Sequence, residues 1–229
     1  MTRALLVLLS FVCGLPLVST STSVAALETP RLSARPAEAD ALERFLSRRD
    51  EPVRHYRARR SLEGHNDRFK MHASLEAITE LTPGGRFTYS VVSESGSDYI
   101  REKLRQLLET EARIIESGTP SRSALTAGEV VAPGIVKLLA KPRRKELALI
   151  DGAVFVTSDD ADLLRVEGRM AKNPSFWTSR VYLVRRYERV GGVRVPVQLD
   201  STAQIKIAGE STMSMVYRYE MINGATVIP

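Results

Sequence analysis

The residues with the greatest chemical capacity are few: three histidines, an acidic run at Asp159, Asp160 and Asp162, and a single cysteine, Cys13. Imidazole and carboxylate make a metal site only when several converge on one point. His55 and His72 become diagonal neighbours on one polar face if the chain turns around Glu63 to Asn66, with Glu76 needed to help close a site. That set is too small for a full coordination shell, so both read as surface histidines. The aspartate run lacks the glycine and terminal glutamate of a calcium loop and reads as a polar hairpin turn. No Gly-x-Ser-x-Gly elbow, His-Glu-x-x-His helix or phosphate loop occurs. The expectation is binding without catalysis, with no metal and no cofactor; a secreted enzyme is the weakest of the readings, kept because paired carboxylates leave no compact signature.

Apolar surfaces are better represented. Met213, Met215, Tyr217, Tyr219 and Met221 share one face of a final strand, and methionine adapts to irregular apolar shapes. The stripe is either core or the wall of a cavity. Leu104, Leu107 and Leu108 on the one long helix carry the same two readings. The candidate cavity lining is therefore Leu75, Phe87, Tyr89, Leu104, Leu107, Leu108, Trp177, Met213, Met215 and Tyr217.

Lys and Arg number 33 against 27 Asp and Glu, a formal charge of +6. The densest basic clusters are Arg54, Arg57, Arg59, Arg60 and Arg68, and Arg143, Arg144 and Lys145. On strands these fall mostly on the solvent side of the alternation, as a solvated outer face; the alternative is contact with anionic lipid headgroups or another envelope polyanion.

Arg3 followed by the apolar stretch Ala4 to Val18, then small residues ending at Val24 and Ala26, reads as a secretory signal peptide over residues 1–26, cut before Leu27. The stretch covers only ~22 Å of a ~30 Å hydrocarbon core, and Gly14 and Pro16 break it, so a membrane anchor is the weaker reading. Val12 before Cys13 argues against a lipidated cysteine, and the cut leaves a chain without cysteine. Such an exported chain fits a bacterial periplasm, where nucleic acid is a poor partner. Residues 27–37, with Pro30 and Pro36, form a flexible linker, and 38–229 a single domain.

Within the domain, Ala39, Leu42, Phe45 and Leu46 predict a short helix ending near Asp50, before Pro52. Tyr56, Ala58 and Leu62 alternate with arginines as a strand, and the odd positions from Phe69 to Ala77 as another. Thr82 to Gly85 turns the chain into a third strand with Phe87, Tyr89 and Val91 facing inward. Ser97 and Asp98 cap the long helix, which stops at Gly118 and Pro120. Ser117 to Gly134 is long for a connection and is a candidate mobile flap. The remainder reads as β: Ile135 to Lys141, Glu146 to Ile150, a turn at Asp151 and Gly152, Ala153 to Thr157, and Asp162 to Met170. Phe176 to Val190, a Gly191 and Gly192 turn, Val193 to Ile207 and the final strand follow.

About ten strands at ~4.8 Å spacing make a sheet ~48 Å wide, whereas one helix is ~10 to 12 Å across. A sheet apolar on one face must therefore curl. The fold class is mainly β: a strongly curved antiparallel sheet of about 10–11 strands as an open or half barrel, with one long and one short helix over its concave face.

The segment 164–178, LRVEGRMAKNPSFWT, followed by 181–187, VYLVRRY, and 192–196, GVRVP, resembles an uncharacterised branch of the LolA/LolB-like lipoprotein-sorting superfamily. The resemblance covers roughly Val53 to the C-terminus. It implies a curved sheet of about eleven strands closed by helices over an apolar cavity, and a periplasmic carrier that shields acyl chains, or a sensor module on the same fold. It implies as partners a lipid or an acylated protein, with an envelope protein as the alternative; the chain is expected to be a monomer with at most peripheral membrane contact. Asn173 and Pro174 serve either as a structural corner, with Phe176 and Trp177 anchoring the next strand, or as a ligand contact.

Overall fold

The computed structural model describes residues 37–117, 123–142, 149–173 and 178–228. The segment read as signal peptide, nearly all of the linker, most of the strand expected at Glu146 to Ile150, and Trp177 lie outside these residues. Helix α1 (Ala37–Ser47) carries Glu38 and Asp40 in its first turn and Arg44 in its last, the arrangement the helix dipole favours. It stops at Ser47 rather than near Asp50. Strands β1 (Tyr56–Asn66), β2 (Met71–Leu81) and β3 (Phe87–Gly96) form a meander. Helix α2 (Asp98–Ser117) begins where the Ser97 carbonyl accepts the Arg101 amide at 2.9 Å, as an N-cap does.

Seven strands follow in antiparallel succession: β4 (Ser123–Ala132), β5 (Ile135–Pro142), β6 (Ile150–Thr157), β7 (Leu163–Met170), β8 (Thr178–Val190), β9 (Val193–Ile205) and β10 (Gly209–Ile222). The two-residue β11 (Ala225–Thr226) pairs with β10. The order β3-β2-β1-β10-β9-β8-β7-β6-β5-β4 makes one sheet with β3 and β4 as its edges, so it is open rather than a closed barrel.

Packing shows how strongly it curves. Leu75 of β2, Met170 of β7 and side chains from every strand between them share one buried cluster with Leu104, Leu107 and Leu108 of α2. On a flat sheet β2 and β7 would stand five spacings, ~24 Å, apart, twice the width of a helix. The sheet therefore wraps α2, as the width argument requires. A second cluster, under α1, joins Ala41 to Val136, Leu138, Ala140, Val154 and Val156. Ala41, Leu42 and Phe45 face this core, while Leu46 is exposed.

Several local expectations are corrected, each for a backbone reason. β1 continues through Gly64 to Asn66, whose buried amide bonds Ala208 O, Glu210 O and Ser211 Oγ and whose Oδ1 accepts the Phe69 amide. The turn therefore begins at Asn66, Phe69 is exposed within it, and His72 faces His65 instead of His55. The supposed flap contains an edge strand, β4. Gly128 and Val131 are extra residues in its register, and two bulges erase the alternation that would have revealed a strand. Gly152 lies within β6, not in a turn: it pairs with Gly168, and a Cβ on it would collide with the Glu167 carbonyl. A bulge inserts Glu220 opposite the Arg57 to Ala58 step, so Ile222 takes the buried place expected for Met221. Val92 is likewise an extra residue in β3, and Val91 is exposed. The Gly191 and Gly192 turn is as expected, with φ of 58° and 82°.

An ionic clasp fixes the chain after α1 to the β8–β9 hairpin. Asp50 receives Arg48 Nε at 2.9 Å and Arg189 Nη2 and Arg194 Nη1 at 2.8 Å. The same arginines reach Asp162 in the β6–β7 turn. Burial works to raise the Asp50 pKa, but Arg189, Arg194 and Arg48 outweigh it and hold the carboxyl below its ordinary 3.8. Stabilisation from that shift is complete above 3.8 and is lost as pH falls through the lower folded value. Asp50→Asn should therefore lower Tm near pH 7 and lower it by a smaller amount at about pH 2, below the ordinary carboxylate value. Thermal unfolding followed by circular dichroism at both pH values checks this; equal losses at both would assign the clasp to packing rather than charge.

Candidate functional site

Beneath α2 the inner face of the sheet is apolar except at its middle. Tyr56, Ala58, Arg60 and Leu62 alternate inward along β1, and the Arg60 side chain is 2% exposed. This corrects the expectation that Arg60 belongs to the solvated outer cluster. Glu111, on the inward side of α2, accepts Arg60 Nη1 on Oε2 at 2.6 Å and Nη2 on Oε1 at 3.0 Å. The fork geometry suits a carboxylate and gives two charge-assisted bonds. Arg60 Nη2 also donates to the Tyr56 hydroxyl at 2.6 Å, while its Nε lacks a partner among the described residues.

Aromatic rings enclose the guanidinium. Its carbon lies 4.5 Å from the Tyr217 ring centroid and 5.3 Å from that of Phe87. Tyr217 stacks on Tyr219, which meets Tyr56 edge to face and donates to Pro196 O at 2.9 Å. Burial raises the pKa of Tyr56, Tyr217 and Tyr219, against the opposing pull of Arg60, so all three remain neutral donors. On β8, Arg185 faces the same interior and is 6% exposed. Burial opposes its charge, yet Tyr187, Tyr217 and Glu111 outweigh that effect and keep it above the ordinary guanidinium value.

The site therefore offers inward guanidinium and hydroxyl donors within an apolar concavity. Such donors recognise an anionic or hydrogen-bond-accepting head, while the surrounding leucines and methionines accept a hydrocarbon chain. Among the described residues no three His, Cys, Asp or Glu side chains come together as a metal site. His65 and His72 stand with ring centroids 6.4 Å apart, and Glu76 pairs with Arg59 at 3.6 Å. The run at Asp159 to Asp162 is the expected polar turn, with the Asp162 amide donating to Thr157 Oγ1 at 2.8 Å.

Of the candidate lining, Leu75, Leu104, Leu107, Leu108, Met213, Met215 and Tyr217 meet in the cluster under α2. Phe87 belongs to a neighbouring cluster, half-buried Tyr89 packs against both, and Trp177 lies outside the described residues. Arg60, Glu111 and Arg185 were not among the residues expected here. Arg60 nevertheless shares the parity of Ala58 and Leu62, Arg185 that of Val181 and Leu183, and Glu111 stands four residues after Leu107.

The outer face differs. Arg57 pairs with both Glu80 and Glu220, so part of the basic cluster is neutralised across strands. An open depression of about 660 Å³ lies across β5 to β9, with Leu139, Ala153 and Tyr182 among its walls and Gly152 and Gly168 in its floor. No described helix is long and apolar enough to cross a membrane.

The buried pair yields a stability test. Arg60→Met or Glu111→Gln alone should cost about 3–5 kcal/mol by stranding a partner, and the double variant Arg60→Met with Glu111→Leu markedly less than either. Denaturant unfolding at constant m-value measures this.

No protein-family profile matches the chain, and no curated protein matches it. One similar solved structure is a DUF1329 family protein from Desulfovibrio piger, with a TM-score of 0.38 and 11% identity over 81% of this chain and 92% of that one. A likeness of that size assigns neither a family nor a function.

Proposed function

We propose that this chain is a non-catalytic carrier of a lipid, a lipoprotein acyl chain or another apolar ligand, exported to the bacterial periplasm and acting as a monomer on a LolA/LolB-like fold. One observation supports this above others: two guanidiniums and a tyrosine cluster point into an apolar concavity. Replacing buried charges by apolar residues is often neutral or stabilising, so charges held in this interior support a recognition role beside any structural one. The described core under α2 is tightly filled, with Leu62, Leu75, Leu107, Leu108 and Met215 each under 2% exposed. A ligand therefore enters by displacing α2, whose polar ties include Arg60 to Glu111 and Glu94 to Arg101 and Arg105.

A second reading, an envelope protein-interaction or sensor module with a permanently packed interior, is favoured by the depression on the outer face. Native mass spectrometry of the protein purified from a bacterial periplasm separates the two. The carrier should show a stoichiometric lipid or acylated peptide, recoverable by solvent extraction, on a chain beginning at Leu27. A clean apo mass that stays unchanged after incubation with oleate would overturn it in favour of the interaction module.

A further inference from the structure

We infer that the inner face of β8 and β9 holds the anionic end of the ligand, a carboxylate or phosphate, at Arg185 with Ser201; this rests on the carrier reading above. An arginine side chain stays charged even when buried, so each buried guanidinium needs a counter-charge. Two other deeply buried arginine side chains have one: Arg60 faces Glu111, and Arg194, 7% exposed, pairs with Asp50 at 2.8 Å. Arg185 hydrogen-bonds the Tyr187 side chain but has no carboxylate within ion-pair reach among the described residues. The carboxylate nearest in effect is Glu111, and both its oxygens already bond Arg60.

The adjacent strand repeats the pattern. Leu199 is opposite Arg185 and Ser201 is opposite Leu183, which makes Ser201 the diagonal neighbour of Arg185. Ser201 is 4% exposed, and its Oγ has no hydrogen-bond partner among the described residues. A cation without a carboxylate partner and a hydroxyl without a hydrogen-bond partner, among the described residues, thus share the inner face of adjacent strands, in a fold that pairs its other buried arginines with carboxylates. The chief contacts of α2 are with β1 to β3 and those of α1 with β4 to β6, so β8 and β9 run between the two helices. An anion there would complete the charge of Arg185 and accept from Ser201, while its hydrocarbon tail follows Leu183, Val181 and Leu199 beneath α2.

Oleate, oleyl phosphate and oleyl alcohol share one tail and differ only at the head. Calorimetric titration of wild-type protein should give the favoured anion an affinity about tenfold to a hundredfold above the alcohol, the range for a hydrogen bond to a charged group. Preference between oleate and oleyl phosphate identifies the head. Arg185→Met should bring the affinity for the anion down to about that for the alcohol, and Arg185→Lys should retain part of the advantage. Equal wild-type affinity for anion and alcohol would overturn the anion site and leave the carrier standing. Failure to bind any of the three would overturn both. Wild-type thermal shifts need no variant: the anion must raise Tm more than the alcohol, and equal shifts would sink the inference.

Discussion

An arginine and a glutamate withdrawn from water must face each other, and this requirement fixes where α2 lies on the sheet. Arg60 sits on β1, the strand that joins the N-terminal meander to β10, and Glu111 sits on the helix that leads from one sheet edge toward the other. Their bidentate bond sets the rotation of α2 about its own axis, and so determines that Leu104, Leu107 and Leu108 point inward together. Apolar packing alone tolerates a small slide or roll of a helix, whereas a two-pronged bond between buried charges does not. The Tyr56, Tyr217 and Tyr219 group, built around the same guanidinium, extends that constraint to β10.

Much of the architecture was legible because period-2 alternation survives wherever the register is regular. β2 and β5 follow it closely, and the width of such a sheet against one long helix already demanded curvature. It failed at bulges. Gly128 and Val131 hid β4, Val92 turned the end of β3 outward, and Glu220 exchanged Met221 for Ile222. Glycine misled where it serves close backbone approach rather than a turn, as at Gly152.

The site was legible by halves. Its apolar members announced themselves by type, while its charged members were visible only by position. Arginine on a strand is ordinarily a surface residue, so parity with Ala58 and Leu62 had to override residue type for Arg60. Glu111 is a further case, since a carboxylate on an amphipathic helix ordinarily faces water and only its spacing from Leu107 places it inward. Polar residues on the buried parity of a strand or the buried stripe of a helix therefore mark where this interior departs from a simple core.

The two ends of the sheet bear on how the molecule behaves in a crowd. Among the described residues β3 and β4 each pair along one side only, and both expose valines, Val91 and Val92 on one and Val130 and Val131 on the other. Straight edges of that composition are templates for strand addition from neighbouring chains. The extra residues at Val92, Gly128 and Val131 kink both margins, so an incoming straight strand loses register within a few residues. The irregularities that obscured these strands in the sequence thus also protect an open sheet from polymerising through its own rims.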